Sequence, residues 1–225
     1  QAFNAGAVIT GNFSYTNNPG GVTGIGNVNF KTSIGGTINI TANYTTTNNA
    51  FGMARLINQT SGGNINVQNS VGFNLQKDTL KVTSLSITGY RTGEYGRLWN
   101  NDITGNVTVA DDISYGGAYN TTVRNNVITG NSSFSNNGLN ILYDADVASS
   151  GNVYNGNVTF NAAGGPVYIS HLAPLQCSGS ITINRTVAGH TQAFNAGAVI
   201  TGNFSYTNNT AGNTFFGNIN NKTAI

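Results

Sequence analysis

Side chains able to do acid–base or metal chemistry are few in this chain. There are seven carboxylates, Asp78, Glu94, Asp102, Asp111, Asp112, Asp144 and Asp146, with two histidines, His171 and His190, and one cysteine, Cys177. Hydrolysis of a glycosidic bond needs two carboxyl groups roughly 5–9.5 Å apart across the bond. Asp111 and Asp112 are adjacent, so in an extended segment they point to opposite sides. Asp144 and Asp146 have the spacing that places two side chains on one face of a strand, which makes them the pair to weigh for hydrolysis. They are also the candidate metal ligands, although a hard cation such as calcium takes six to eight oxygens. The plainer expectation for both is a solvated loop capped by Asx turns. His171 and His190 have no neighbouring Ser or Cys nucleophile to serve and are expected at the surface or in turns. No catalytic set and no cofactor motif emerges, so the chain reads as a non-enzyme that needs no cofactor.

Two further groups bear on binding. Trp99 is the single tryptophan, and with Arg97 it is the candidate glycan platform, set against a packed loop as the bland reading. N-x-S/T sequons begin at twelve asparagines, with Asn106, Asn157 and Asn184 as the candidate glycosylation positions. A chain rich in alternating Asn and Thr produces sequons automatically, so their number carries little weight.

The elements that must hold these residues follow from composition and repeats. Charged residues make up 7% of the chain, against roughly 25% in an average globular protein. Gly, Asn, Thr and Ser take their place. Gly and Asn are poor in helices and Thr prefers strands, and no apolar stripe of helical period is present, so the chain is expected to be all-β. The formal net charge is +2 and the Lys and Arg residues are scattered along the chain, which excludes the basic stripe of a nucleic-acid binder. No apolar run approaches the ~20 residues of a membrane-spanning helix. Low charge with abundant Asn and Thr suits an exported protein, so an extracellular or bacterial cell-surface location is expected.

Two repeats are nested. Residues 1–18, QAFNAGAVITGNFSYTNN, recur without change as residues 192–209. Residues 1–191 then form one unit and residues 192–225 begin the next, continuous with the first. A chain that starts and stops inside its own repeat is expected to be a window on a longer array. The short repeat is a pentapeptide of the type GNVTV, found at 11–15, 36–40, 63–67, 83–87, 105–109, 130–134, 156–160, 179–183 and 202–206. Its average spacing of about 24 residues places eight coils in each 191-residue unit.

The third and fifth positions of the pentapeptide are apolar except at Ser132, and the second and fourth are Asn, Ser or Thr. Period 2 is a strand with one face inward. Its recurrence once per coil means that each strand lies above the last. The second positions give an outward ladder of Asn12, Asn64, Asn106, Asn131, Asn157 and Asn203, expected to bond amide to amide. The leading Gly is expected at a turn that needs unusual dihedrals. A second inward column, two residues before the pentapeptide, holds Ile9, Ile34, Ile103, Ile128, Tyr154, Cys177 and Ile200. Cys177 therefore reads as a small buried hydrophobe. Ser61 and Lys81 interrupt this column, which predicts an irregularity between about Asn69 and Trp99. A pair of immunoglobulin-like sandwiches does not repeat at this scale.

These stacked [GN]-N-[VIF]-[TS]-[VFYI] rungs resemble those of right-handed parallel β-helix proteins, in particular the long repetitive β-solenoid adhesins and surface filaments of bacteria. The resemblance implies a right-handed parallel β-helix and a structural or adhesive role in a long secreted surface protein. The partners it implies are neighbouring repeats of the same chain, other solenoids packed laterally, and surface glycans. The alternative is a glycan-binding or polysaccharide-active β-helix of the tailspike or lyase kind. Ice binding ranks lower, because Thr alternates irregularly with Asn and Ser.

Overall fold

The computed structural model describes residues 3–17, 23–27, 29–43, 50–58, 62–68, 72–90, 96–111, 120–138, 141–148, 151–217 and 222–225. Among these residues the regular elements are all β-strands, gathered into three sheets of ten, nine and nine strands. Neighbours within a sheet are every third strand of the chain, and they pair in parallel. The result is a β-solenoid with coils about 23 residues apart. Each coil gives one strand to each sheet. In the first coil these are Ala7–Ile9, Phe13–Asn17 and Thr23–Gly26, and in the fifth Asp102–Ile103, Asn106–Asp111 and Thr121–Arg124. We call the sheets first, second and third in that order.

The second sheet contains the pentapeptides. Leu85 lies opposite Val107, Val107 opposite Ser132, Ser132 opposite Val158, Val158 opposite Ile181 and Ile181 opposite Phe204. One pairing departs from the sequence alignment: Ile40, not Ile38, lies opposite Ile65. The slip is two residues, and because side chains alternate with period 2 it leaves inward residues inward. In the first sheet the interruption at Lys81 disappears, since Leu80 is the residue opposite Ile103. Ser61 and Asn69 lie outside the described residues. Where the sequence predicts an irregularity, the described residues show one bulge, between Thr88 and Tyr90 opposite the fifth coil. Gly89 sits in it at φ 64°.

A coil of this length has room for three short strands, but sequence reading left the residues of the third sheet unassigned. Its inward residues Ile25, Met53, Leu75, Leu98 and Val123 are as buried as any in the protein. The connection leading into it varies from a few residues between Gln68 and Gly72 to many between Asp111 and Thr121, so its strands do not align with the pentapeptides. The connection leaving it follows one rule: the chain turns through a residue of positive φ. Arg55, Lys77, Asn100, Asn125, Ala145, Ser170 and Phe194 fill that place at φ 49–62°.

Among the leading glycines Gly63 has the unusual dihedral that was expected, at φ 86°, but others have a different reason. Gly105, Gly130, Gly156, Gly179 and Gly202 are not among the positive-φ residues. They are required by close stacking. A Cβ on Gly130 would lie 2.4 Å from the Gly105 carbonyl oxygen, and one on Gly202 would lie 2.4 Å from that of Gly179. The three inner faces enclose one continuous apolar core. Phe134 stacks on Phe160 at 5.6 Å between centroids, and Tyr154 meets both rings edge-on. Among the described residues no helix is long and apolar enough to cross a membrane.

Candidate functional site

The paired carboxylates separate. Asp144 ends the strand Leu142–Asp144 opposite Val123 and is fully buried. Its Oδ1 accepts hydrogen bonds from Asn152 Nδ2 at 2.6 Å and from the Tyr154 hydroxyl at 2.7 Å, and its Oδ2 accepts the Ser170 backbone N–H at 3.0 Å. Burial pushes the Asp144 carboxyl pKa up, against the lowering effect of these donors, and pushes the Tyr154 phenol well up. The chain turns at Ala145, φ 57°, and Asp146 emerges at the surface 3.5 Å from Arg124 Nη1. The shared face and the solvated loop expected for the pair are thus both overturned at Asp144. One carboxylate is a core residue held by three donors, and the other is an ion-pair partner at the surface. Asp111 is also inward and buried, accepting the backbone N–H groups of Asn137 and Gly138. Asp112 and Glu94 lie outside the described residues. Among the described residues no three His, Cys, Asp or Glu side chains are grouped so as to hold a metal.

His171 packs against the rings of Tyr143 and Tyr168, where burial lowers its pKa. Cys177 is 2% exposed in the first sheet between Tyr154 and Ile200. Its thiol faces the carbonyls of Gly179 and Gly156, and burial raises its pKa, the opposite of what activates a nucleophile.

The polar feature that sequence reasoning missed is a buried ladder at the corner between the third and first sheets. Asp78, Asn101, Asn126 and Asn152 stack in successive coils and are 1–3% exposed. Asn152 Oδ1 accepts both the backbone N–H and the Nδ2 of Asn126, and Asn126 Oδ1 accepts the same pair from Asn101. Each Nδ2 also donates to a third-sheet carbonyl: Asn101 to Leu75, Asn126 to Leu98 and Asn152 to Val123. Asp78 occupies the next rung. It accepts the Leu56 backbone N–H at 2.8 Å through Oδ1, and its Oδ2 has no partner. Burial pushes the Asp78 carboxyl up to about 8, opposed in part by backbone groups of Leu56 and Gln76. The signal was present as N-x-[IY]-x-G-N at Asn101, Asn126 and Asn152.

The outward ladder is real in position but differs in bonding. Asn106 Oδ1 accepts the backbone N–H of Asn131, Asn131 Oδ1 that of Asn157, and Asn157 Oδ1 that of Ser180. Asn12 does the same for Thr37, Asn203 donates its backbone N–H to Ser180 Oγ, and Asn64 accepts from the Ser84 hydroxyl. Side chain bonds backbone, where amide-to-amide pairing was expected. The amide-to-amide contact occurs elsewhere on the sheet, from Asn184 Nδ2 to Asn161 Oδ1 at 3.0 Å. Of the candidate glycosylation positions, Asn106 and Asn157 are exposed and Asn184 is half-buried with its amide nitrogen engaged.

Trp99 and Arg97 stand on the outer face of the third sheet, in the regular strand Gly96–Trp99. The Arg124 guanidinium lies 3.5 Å from the indole centroid and that of Arg97 4.5 Å, and Nε1 donates to Thr122 Oγ1 at 2.7 Å. Two guanidinium groups therefore lie against the indole. Toward the first coil the same outer face becomes a shallow trough bordered by Gly24, Gly26, Gly52, Ala54, Asn74 and Gln76. Comparison with protein-family models, curated proteins and solved structures returns no match. The fold and these surfaces are therefore the whole basis for a functional reading.

Proposed function

We propose that this chain is a structural or adhesive spacer: a segment of a long, secreted, bacterial cell-surface or filament protein whose length comes from tandem 191-residue units. One observation carries the reading. The strand Phe204–Asn208, identical in sequence to Phe13–Asn17, lies in the same sheet eight steps further along. Unit therefore follows unit by ordinary strand pairing, with no linker and no break in the core. Each coil leaves its apolar edge to the next, which is how solenoid stability accumulates with neighbours. The Asp144–Asp146 pair gives the catalytic alternative no support, because its two carboxylates point to different environments. A surface low in charge agrees with the proposed location.

Concatemers of one, two and three units test the spacer role by small-angle scattering or negative-stain microscopy. Each added unit should lengthen a rod by about 38 Å at ~4.8 Å per coil. Bent beads joined at flexible points, or particles that do not lengthen, would sink it. Location is tested by protease shaving of intact cells that carry the gene: peptides of this chain should be released without lysis.

A further inference from the structure

The corner where the second sheet leads into the third holds a buried charge in the eighth coil. Arg185 ends the strand Ile181–Arg185 and points inward, with Ala162 opposite it in the coil before and Asn208 in the coil after. It is 0% exposed. A guanidinium stays protonated in a protein, so a full positive charge sits in the interior. Its Nη1 donates to Thr191 Oγ1 at 3.0 Å. Its Nε and Nη2 have no hydrogen-bond partner. Those two N–H groups share one edge of the guanidinium and point the same way. They form the fork that grips a carboxylate through two parallel hydrogen bonds.

The surrounding chain has no carboxylate side chain to set against it. Asp146 is the last acidic residue, and residues 147–225 contain no Asp or Glu. The strands of coils seven, eight and nine all come from that acid-free stretch, so neither the coil of Arg185 nor the coils stacked on it supply a counter-ion. The ionisable group that favours its charge is Tyr206, which brings a hydroxyl shared with Thr214 Oγ1 and no carboxylate. A water would satisfy Nε and Nη2 but leave the charge uncompensated, and an uncompensated buried charge is strongly destabilising. The way in is short. Gly189 is exposed, and a Cβ on it would lie 1.9 Å from Nη2, so the guanidinium lies directly beneath a surface glycine.

We propose that Arg185 holds a compact univalent anion, a formate-sized carboxylate or a halide, on its Nε–Nη2 edge. Two parallel N–H groups answer the two oxygens of a carboxylate, or one halide placed between them. Full burial sets the size: a large anion would have to unseat the chain above. One guanidinium balances one negative charge. The other Lys or Arg of residues 147–225 is Lys222, which precedes the strand Thr223–Ala224 of the first sheet, so this corner offers no second cation for a dianion. Thr191, bonded to Nη1, directly precedes the segment 192–209 that repeats residues 1–18. The ion therefore braces the corner at which one unit passes into the next. The site does not rest on the spacer role: the anion would bind whether or not the chain forms rods.

The test is urea unfolding of the 225-residue chain as sodium formate or sodium chloride replaces sodium gluconate, an anion too bulky for the site, at constant ionic strength. Once the site is filled, each tenfold rise in formate should raise the folded-to-unfolded ratio of wild type roughly tenfold. Chloride should act in the same way. Arg185→Met keeps the length of the side chain, removes the charge and should show neither response. Sodium sulfate should strengthen both proteins alike, through exclusion from their surfaces. A second measurement needs no variant: the chloride NMR line should broaden in the presence of wild type and sharpen again when formate displaces the ion. The proposal is overturned if wild type and Arg185→Met respond alike to formate and chloride, which would mean that water alone completes the fork. It is also overturned if sulfate favours wild type over the variant as strongly as formate does, or if formate leaves the chloride line unchanged.

Discussion

Replacing Asp78 by Asn should stabilise this protein, by an amount that depends on pH in a defined way. Asp78 sits on a rung of a ladder otherwise built from Asn101, Asn126 and Asn152. Each of those residues donates an amide N–H to a third-sheet carbonyl, and the register makes Met53 the carbonyl that corresponds to Leu75, Leu98 and Val123. An ionised carboxylate has no hydrogen to give there, whereas the protonated acid has one. Its carboxyl is raised from the ordinary 3.8 to about 8, so between those pH values the folded chain holds a proton that the unfolded chain releases. Stability attributable to this group is therefore fully present below pH 3.8, falls as pH rises through the window, and levels off above about 8. The slope is about 1.4 kcal/mol per pH unit, which accumulates to on the order of 4 kcal/mol at pH 7. An Asn needs no proton and donates at every pH. The assay is urea unfolding of wild type and Asp78→Asn, followed by circular dichroism from pH 4 to 9. The two proteins should be nearly equal at pH 4, and the variant should gain steadily up to about pH 8. Asp144 titrates alike in both and cancels in the difference. A gap that does not change with pH, or a variant weaker than wild type at pH 7, would refute the ladder argument.

Three further outcomes are expected. Val107→Asp puts an unpaired charge into the core, at a position 1% exposed, and should cost more than about 4 kcal/mol in chemical unfolding; the adjacent Asn106→Asp keeps the oxygen that accepts Asn131 N–H and should cost less than about 1 kcal/mol. Asn126→Ala strands the donors of Asn101 and empties the bonds to Leu98 and Asn152, so thermal unfolding should show a loss of about 2–4 kcal/mol. Gly202→Ala should lower the melting temperature, because the new Cβ meets the Gly179 carbonyl oxygen at 2.4 Å, whereas Gly11→Ala, with nothing within 4 Å, should leave it nearly unchanged; similar effects at the two positions would mean that local conformation, not stacking, selects these glycines.

Much of the architecture was legible because β-solenoids write their period directly into the chain. The alternation in Gly105–Val109, repeated at Gly130–Phe134, Gly156–Phe160 and Gly179–Ile183, determined an inward and an outward face and the number of coils per unit. The Ile34, Ile103, Ile128 and Cys177 column determined a second sheet, and exposures of 0–2% agree with it. Local alternation fixes which side of a strand is wet, and a fixed interval fixes what lies above it. Whatever depended on loop length or on a third dimension was not legible. The sheet of Leu75, Leu98 and Val123 hid behind connections of varying length, and the two-residue slip at Ile40 conserved the alternation that would have revealed it. Asp144 and Asp146 shared a spacing, yet a left-handed turn at Ala145 sent one into the core and the other to the surface. Gly11 and Gly202 make the division plain. They stand in the same eighteen-residue sequence, with the same local preferences, and only the coil beneath Gly202 makes its missing Cβ matter.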